Sequence, residues 1–382
     1  MNGPEWLNRF HACQDSLLAD LEILVNHESP SRDRQALARL CAWLSTRLSR
    51  LGASVEVHPG TDGGDHVLAR FAGRSSEPPA LILGHYDTVW PLGTLERIPF
   101  AIAGGRARGP GVLDMKAGLA LILAVMEVFR EDSSLPARPV WILITSDEEV
   151  GSPGSRALIE RVASQCALAL VLEPALAGGG LKTARKGVGR FRLDIAGRAA
   201  HAGVDPSAGR SAIVELARRI LALGEIEDRP LGTTINVGVV AGGTTTNVVP
   251  ASAWAEVDAR VATTREQERV TSAFHAIRPL TPDVEVVVSG GFSRPPMERT
   301  PAIAALFDQA RLLGRTIGLE LTEGSTGGGS DGNFTAALGI PTLDGLGATG
   351  GGAHADDEHV VIASLPERAA LLALLIEGLK QP

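Results

Sequence analysis

Residues 80–84 read ALILG and run directly into His85, Tyr86 and Asp87. Five apolar residues are too few for a helix and too uniform for a strand with one wet face. The spacing predicts a strand buried on both sides, as in a largely parallel sheet. Two more runs have the same character: VWILIT (140–145) and LALVL (168–172). Between the first two, AGLALILAVMEVFR (117–130) predicts a helix. Upstream, Leu37, Leu40, Cys41, Leu44, Leu48 and Leu51 keep helical spacing, and Gly52 is placed to stop that helix. The order β-α-β-α-β predicts an α/β domain with a helix-covered, mostly parallel sheet. In such sheets polar chemistry collects at the carboxyl ends of the strands.

The middle of the chain has a different rhythm. FRLDI (191–195) alternates. Residues 209–223 predict a helix with Ile213, Leu216, Ile220 and Leu221 on one face, followed by a strand at INVGVV (235–240). In 253–261 the odd positions are Ala253, Ala255, Val257, Ala259 and Val261, and the even ones are Trp254, Glu256, Asp258 and Arg260. A second helix holds Val270, Phe274 and Ile277 in register, and VEVVV (284–288) follows. This β-α-β-β-α-β order is that of the ferredoxin-like α+β fold. The expected organisation is one discontinuous domain, residues 1–185 and 296–382, with residues 186–295 inserted.

A chain of 382 residues accommodates about two such domains. Its 36 basic and 44 acidic residues give a net charge of −8, which argues against nucleic acid as a partner. Cys13, Cys41 and Cys166 are far apart and form no CxxC pair, so they read as small buried hydrophobes of a reducing compartment. The longest apolar run, near 119–126, is well short of the ~18–20 residues that span a bilayer. No apolar leader follows the N-terminus. A soluble cytoplasmic protein without a membrane partner is expected.

Several strand ends deliver residues that can do chemistry. His85 and Asp87 follow the first apolar run; a carboxylate near a ligating histidine can orient its second nitrogen. Asp114 lies in RGPGVLDMKAG (108–118) ahead of the predicted helix, where a plain N-cap aspartate is the simpler reading. Asp147, Glu148 and Glu149 follow the second run. Three consecutive carboxylates repel one another and need a cation, N–H dipoles or water to coexist. Glu173 ends the third run. His354 lies in GGAHADDEH (351–359), with His359 close enough to compete for any role. Taken singly, each fits an ordinary polar loop. Jointly, carboxyl ends of parallel strands lie on one rim, so the groups converge. Two histidines with three or four carboxylates suit zinc, cobalt or manganese. Two metals bridged by one carboxylate would use the set and leave one carboxylate as general base.

The motifs GHYDTV (84–89), RGPGVLDMKAG, TSDEEVGS (145–152), VLEP (171–174), GRAAHAG (197–203), TTTNVVP (244–250), VDARV (257–261), GGGSDGN (327–333) and GGAHADDEH occur in this order along almost the whole chain. Together they resemble the dinuclear zinc exopeptidase superfamily of glutamate carboxypeptidase, acetylornithine deacetylase and succinyl-diaminopimelate desuccinylase. The resemblance implies two zinc ions per subunit, with cobalt or manganese as substitutes. It implies His85, Asp114 and Glu173 on one metal and Asp114, Glu149 and His354 on the other. Glu148 falls on the general base and Asp87 on the residue that orients His85. His201 falls on a histidine that crosses a homodimer interface to stabilise an oxyanion. Asn247 and Arg260 fall on positions holding the substrate carboxylate. The Asp114–Met115 peptide is implied to be cis.

Glu173 in VLEP resembles the carboxypeptidase and deacylase branches more than the di- and tripeptidase branches, and KTARKGVGR (182–190) with the motifs of the inserted domain looks most like the glutamate carboxypeptidase-like branch. Arg294, in SRPP, lies near that branch's residue for an acidic substrate side chain. The second basic residue of that branch is not clear, because 178–180 is GGG, although Lys182, Arg185 and Lys186 are close. The expected activity is release of a C-terminal, acidic amino acid from peptides or N-acyl amino acids. An N-acyl amino acid deacylase of the acetylornithine type is the alternative. A silent homologue acting as a scaffold, or a dinuclear phosphoesterase, fits the whole pattern less well.

Overall fold

The computed structural model describes residues 1–61 and 63–379. The chain divides into two compact units. The first comprises Met1–Thr183, Arg299–Ser325 and the chain from Ser330. The second comprises Ala184–Glu298 with Thr326–Gly329, a little wider than the expected 186–295 and joined by a short later segment.

The first unit is mixed α/β. Its main sheet has the order Ser54–His58, His66–Phe71, Val140–Thr145, Ala80–His85, Leu168–Val171, Thr342–Leu343. The last four strands are mutually parallel; His66–Phe71 runs against its neighbours. The uniform apolarity of 80–84 has a direct cause. Ile82 packs with Leu119, Leu123 and Leu371 on one face, while Leu81 and Leu83 pack with Leu158, Ile159 and Phe334 on the other. The helices Ala117–Glu131 and Leu365–Gly378 are buried almost all round. Each fully buried Leu or Ile of this layer contributes roughly 1.5–3 kcal/mol of transfer free energy. Cys41 and Cys166 are buried, and all three cysteines are free thiols.

A small sheet orders Gly350–Gly351, His359–Val361, Arg106–Arg108 and Ala101–Ala103, all antiparallel. It presents the 352–358 loop, which carries His354. Among the described residues no helix is long and apolar enough to cross a membrane.

The second unit has one four-stranded antiparallel sheet in the order Glu285–Arg294, Gly187–Ala196, Ser252–Val261, Thr234–Gly242. In chain order this is 4-1-3-2, with helices Ala212–Leu223 and Thr264–His275 as crossovers, the ferredoxin-like arrangement. The odd residues of 253–261 are the buried ones. Phe191 stacks on Phe274 at 3.9 Å between ring centroids. The helical face expected in 209–223 is corrected. The helix starts at Ala212, capped by Ser211, and buries Ala212, Leu216 and Leu223, while Ile213 is 42% and Leu221 80% exposed. Leu216 and Leu223 set the centre of the inward face. At 3.6 residues per turn Ile213 lies about 60–80° from these two and Leu221 about 140–160°, both on the same side, so Leu221 is nearly opposite the inward face.

Candidate metal centre

The strand ends after Ala80–His85, Val140–Thr145 and Leu168–Val171 bring His85, Glu148, Glu149 and Glu173 to one rim of the first unit. Asp114 arrives from the irregular turn Val112–Lys116. There Asp114 and Met115 depart from helical geometry and the Asp114–Met115 peptide is cis. Asp114 caps no helix, since the regular helix starts at Ala117. Gly111, at the head of this turn, has φ +70°, and a Cβ there would lie 2.5 Å from Thr88 Cγ2. Only glycine fits both constraints.

The geometry is centred on Asp114. Its Oδ1 lies 3.4 Å from His85 Nε2 and its Oδ2 lies 3.4 Å from His354 Nε2. Glu173 Oε1 is 3.5 Å from His85 Nε2, and Glu149 Oε2 is 3.3 Å from His354 Nε2. The donor atoms of His85, Asp114 and Glu149 fall within 4.8 Å of one another, as do those of His85, Glu148 and Glu173. His85 Nε2, Asp114 Oδ1 and Glu149 Oε1 are buried and make no hydrogen bond. Buried polar atoms left without a partner are costly, and a cation held between them would satisfy all three. A nitrogen/oxygen donor set of this size fits a divalent transition metal. His354 has φ +64°, uncommon for a residue with a Cβ and typical of functional sites. His359 turns away: its Nδ1 faces the Asp357 carbonyl at 2.8 Å, on the strand paired with Arg108.

Electrostatics follow from this crowding. Burial disfavours a charged His85, but the Asp114, Asp87 and Glu173 carboxylates hold its pKa well above the ordinary imidazole value. The Asp114 and Glu149 carboxylates raise that of His354 to about 10. Burial opposes ionisation of Asp114, yet the two imidazoles outweigh it and hold its pKa below the carboxylate range. Burial raises that of Glu149. The site is thus a cage of carboxylates that retains protons on its histidines until another cation replaces them.

Asp87 does more than face His85. Its backbone carbonyl lies 3.0 Å from His85 Nδ1 and its Oδ1 lies 3.4 Å away. The same carboxylate accepts the backbone N–H groups of Glu148 and Glu149, both at 3.2 Å, and the Ser31 hydroxyl at 2.7 Å. The predicted crowding of three acids is relieved because Asp147 turns aside. It accepts from the Gly154 and Ser155 N–H groups and from the Ser155 hydroxyl. Asp331, of the GGGSDGN motif, accepts from Thr145 and Ser152 and brackets the same turn. Asp331 and Glu358 lie within GGGSDGN and GGAHADDEH, where nothing in residue type or spacing marks them out from their neighbours, and Ser31 lies in none of the motifs.

In the second unit, His201 and Asn247 sit on facing segments: His201 bridges Val248, and the Ala202 N–H donates to the Asn247 carbonyl at 2.9 Å. His201 Nδ1 accepts from the Gly203 and Val204 N–H groups at 3.2 and 3.1 Å, which places its proton on Nε2. Arg260 makes a two-pronged pair with Asp258 at 2.8 and 2.9 Å and donates to the Gly327 carbonyl. Arg294 ends its strand and is 4% exposed. Lys182 is buried, with Nζ 4.0 Å from Asp344 Oδ1, and Arg185 donates to the Gly328 and Gly329 carbonyls.

Residues 81–378 match the description of peptidase family M20/M25/M40. The chain belongs to this family. It is 32% identical over 378 residues to carboxypeptidase G2 of Pseudomonas sp. (strain RS-16), covering 96% of this chain and 90% of that protein. It is 27% identical over 320 residues to succinyl-diaminopimelate desuccinylase of Delftia acidovorans, covering 78% and 81%. In three dimensions it resembles aminopeptidase PepT of Bacillus cereus, with a TM-score of 0.77, 24% identity and coverage of 95% and 98%. It also resembles an M20 family metallo-carboxypeptidase of Sulfolobus solfataricus, with a TM-score of 0.74, 17% identity and coverage of 94% and 98%. These two likenesses concern the fold. As a member of this metal-dependent family the chain is a peptidase-type hydrolase of amide bonds.

Proposed function

We propose that this enzyme removes a C-terminal amino acid, preferentially glutamate or aspartate, from peptides or N-acyl amino acids, using two zinc ions per subunit. The observation that carries the reading is Asp114, whose two oxygens each face a different imidazole at 3.4 Å. In this reading His85, Asp114 and Glu173 hold one cation and Asp114, Glu149 and His354 the other. Two such cations would supply Lewis acidity and lower the pKa of a water at the site.

The residues then divide the work. Glu148 takes the proton of the attacking water and returns it to the leaving amine. Asp87 fixes the ring of His85 and the backbone on which Glu148 and Glu149 stand. His201 offers its Nε2–H to the oxyanion. Asn247 and Arg260 hold the substrate's α-carboxylate, and Asp258 keeps the guanidinium of Arg260 in place. Arg294, already desolvated, would read an acidic side chain. The protein works as a homodimer in which His201 serves the partner subunit's centre.

The test is amino acid release from dipeptides and N-acyl amino acids, varying the C-terminal residue (Glu, Asp, Ala, Phe, Arg, ornithine) and the acyl group, with and without chelator and added zinc. Metal-dependent release favouring glutamate or aspartate supports the proposal. Release governed by the acyl group instead makes the enzyme a deacylase, and no release from metal-loaded protein refutes both.

A further inference from the structure

We infer that Glu358 is a positioning residue for the metal centre: one buried carboxylate ties together the three chain segments that carry His85, Asp114 and His354. The inference rests on the metal reading above and extends it to a residue with no place in the ligand set.

Glu358 is 1% exposed. Its Oε1 accepts the backbone N–H groups of Leu113 at 2.8 Å and Asp114 at 3.0 Å. Its Oε2 accepts the Gly111 N–H at 2.9 Å and the Trp90 indole N–H at 2.9 Å. Four donors use all four lone-pair positions of an ionised carboxylate, so Glu358 has no capacity left to ligate a metal itself. What it does is decide where its donors lie. Three of them belong to the turn that ends in Asp114. They are the first N–H groups of the turn Val112–Lys116 and of the residue before it, where no preceding turn supplies acceptors. Without Glu358 they would be buried polar groups lacking a partner. The fourth donor, Trp90, follows His85 by five residues on the same loop. Glu358 itself lies four residues beyond His354 in a tight run of turns, Ala355 N–H to the Gly352 carbonyl and Glu358 N–H to the Ala355 carbonyl.

The neighbouring acids sharpen the contrast. Asp356 and Asp357 are exposed, and Asp356 pairs at the surface with Arg97. Of three adjacent carboxylates, only Glu358 points inward. Lys116, also buried, donates from Nζ to the His27 carbonyl at 2.9 Å. Asp114 is the residue whose orientation matters most, because both imidazoles converge on it. A ligand that must present one oxygen to each of two partners tolerates little rotation of its backbone.

The experiment compares wild type, Glu358→Gln, Glu358→Ala and Trp90→Phe as full-length proteins. Each is prepared metal-free. Its thermal unfolding is recorded, and its affinity for Zn²⁺ is measured by competition with a chromogenic chelator. Glutamine keeps the shape but sets an amide N–H against an N–H donor of the turn. Its zinc affinity is expected to fall about 10–100-fold, the range for partners that orient metal ligands. Excess zinc should recover most of its turnover with KM unchanged. Trp90→Phe keeps the turn's three bonds and should lose less affinity than Glu358→Gln. Wild-type affinity in Glu358→Gln, with only a lower melting temperature, would make Glu358 a purely structural residue and overturn the inference. Should both Glu358 variants fail to fold, unchanged zinc affinity in Trp90→Phe overturns it instead. Wild-type protein that takes up no zinc would refute the metal reading itself. Wild-type zinc binding with indifferent variants refutes the role of Glu358 alone.

Discussion

The two units carry side chains of the same kinds and treat them differently. In the first, the converging acids and imidazoles lean on a further layer of buried groups. Asp87 holds His85 and the Glu148–Glu149 backbone, and Glu358 holds the Asp114 turn. In the second, His201 and Asn247 are exposed, and the His201 ring accepts N–H groups of its own loop. A cage of fixed charges needs rigid supports before any ligand arrives. Groups that meet only the substrate can stay solvated and be recruited as it binds. The contrast is between pre-organised, buried supports in the first unit and solvated, loop-held groups in the second.

The largest effect should come from the acid beside the cage. Glu148→Ala is expected to lower kcat by about 10²–10⁴-fold while its zinc content stays at the wild-type level. Zinc analysis of the variant checks this. The donor atom of Glu148 also lies close to those of His85 and Glu173. Loss of a zinc equivalent would therefore make Glu148 a ligand and remove it as base. Next in size is His201→Ala, expected to cost about 10²–10³-fold in kcat with metal affinity unchanged. Mixing the two inactive variants tests the proposed exchange between subunits. If His201 serves the partner's centre, a heterodimer of Glu148→Ala and His201→Ala subunits holds one intact site and regains activity. No recovery would place both residues in the service of one subunit's centre.

How legible these features were in the sequence follows the same physics. Strands buried on both faces, such as Ala80–His85 and Val140–Thr145, announce themselves as unbroken apolar runs. The inserted sheet announces itself by alternation, because one face of 252–261 packs on helices and the other does not. The strands Ala101–Ala103, Arg106–Arg108 and Gly350–Gly351 are two or three residues long and carry no such pattern. Yet they aim the His354 loop. The residues of the cage could be found because parallel strand ends share a rim and because the motifs resemble a known family. Their supports could not. Nothing in ADDEH distinguishes Glu358 from Asp356 and Asp357; only the fold turns one inward. Ile213 and Leu221 misled for the converse reason: with Leu216 and Ile220 they spread over about 140° of the helix, more than the neighbouring sheet covers.

The smallest effect tests the electrostatics of the cage in the absence of metal. The pKa of His354 is raised to about 10 by Asp114 and Glu149, against an ordinary value near ~6.5 in the unfolded chain. A group whose pKa is raised by folding contributes stability that is fully present below the unfolded value and lost as pH rises through the folded one. Metal-free protein should therefore lose stability steadily between about pH 6.5 and pH 10. The loss should be modest, because the His354 side chain is 49% exposed and solvent screens the pair. His354→Gln should flatten that slope. Zinc binding has the opposite dependence, because ligation needs the neutral ring and proceeds with proton release. The stabilisation conferred by zinc should then grow over the same pH range. Thermal unfolding of both forms from pH 6 to 10 decides the matter. A metal-free protein whose stability rises with pH would mean that the two carboxylates do not hold His354 protonated, and that the cage is looser than its distances imply.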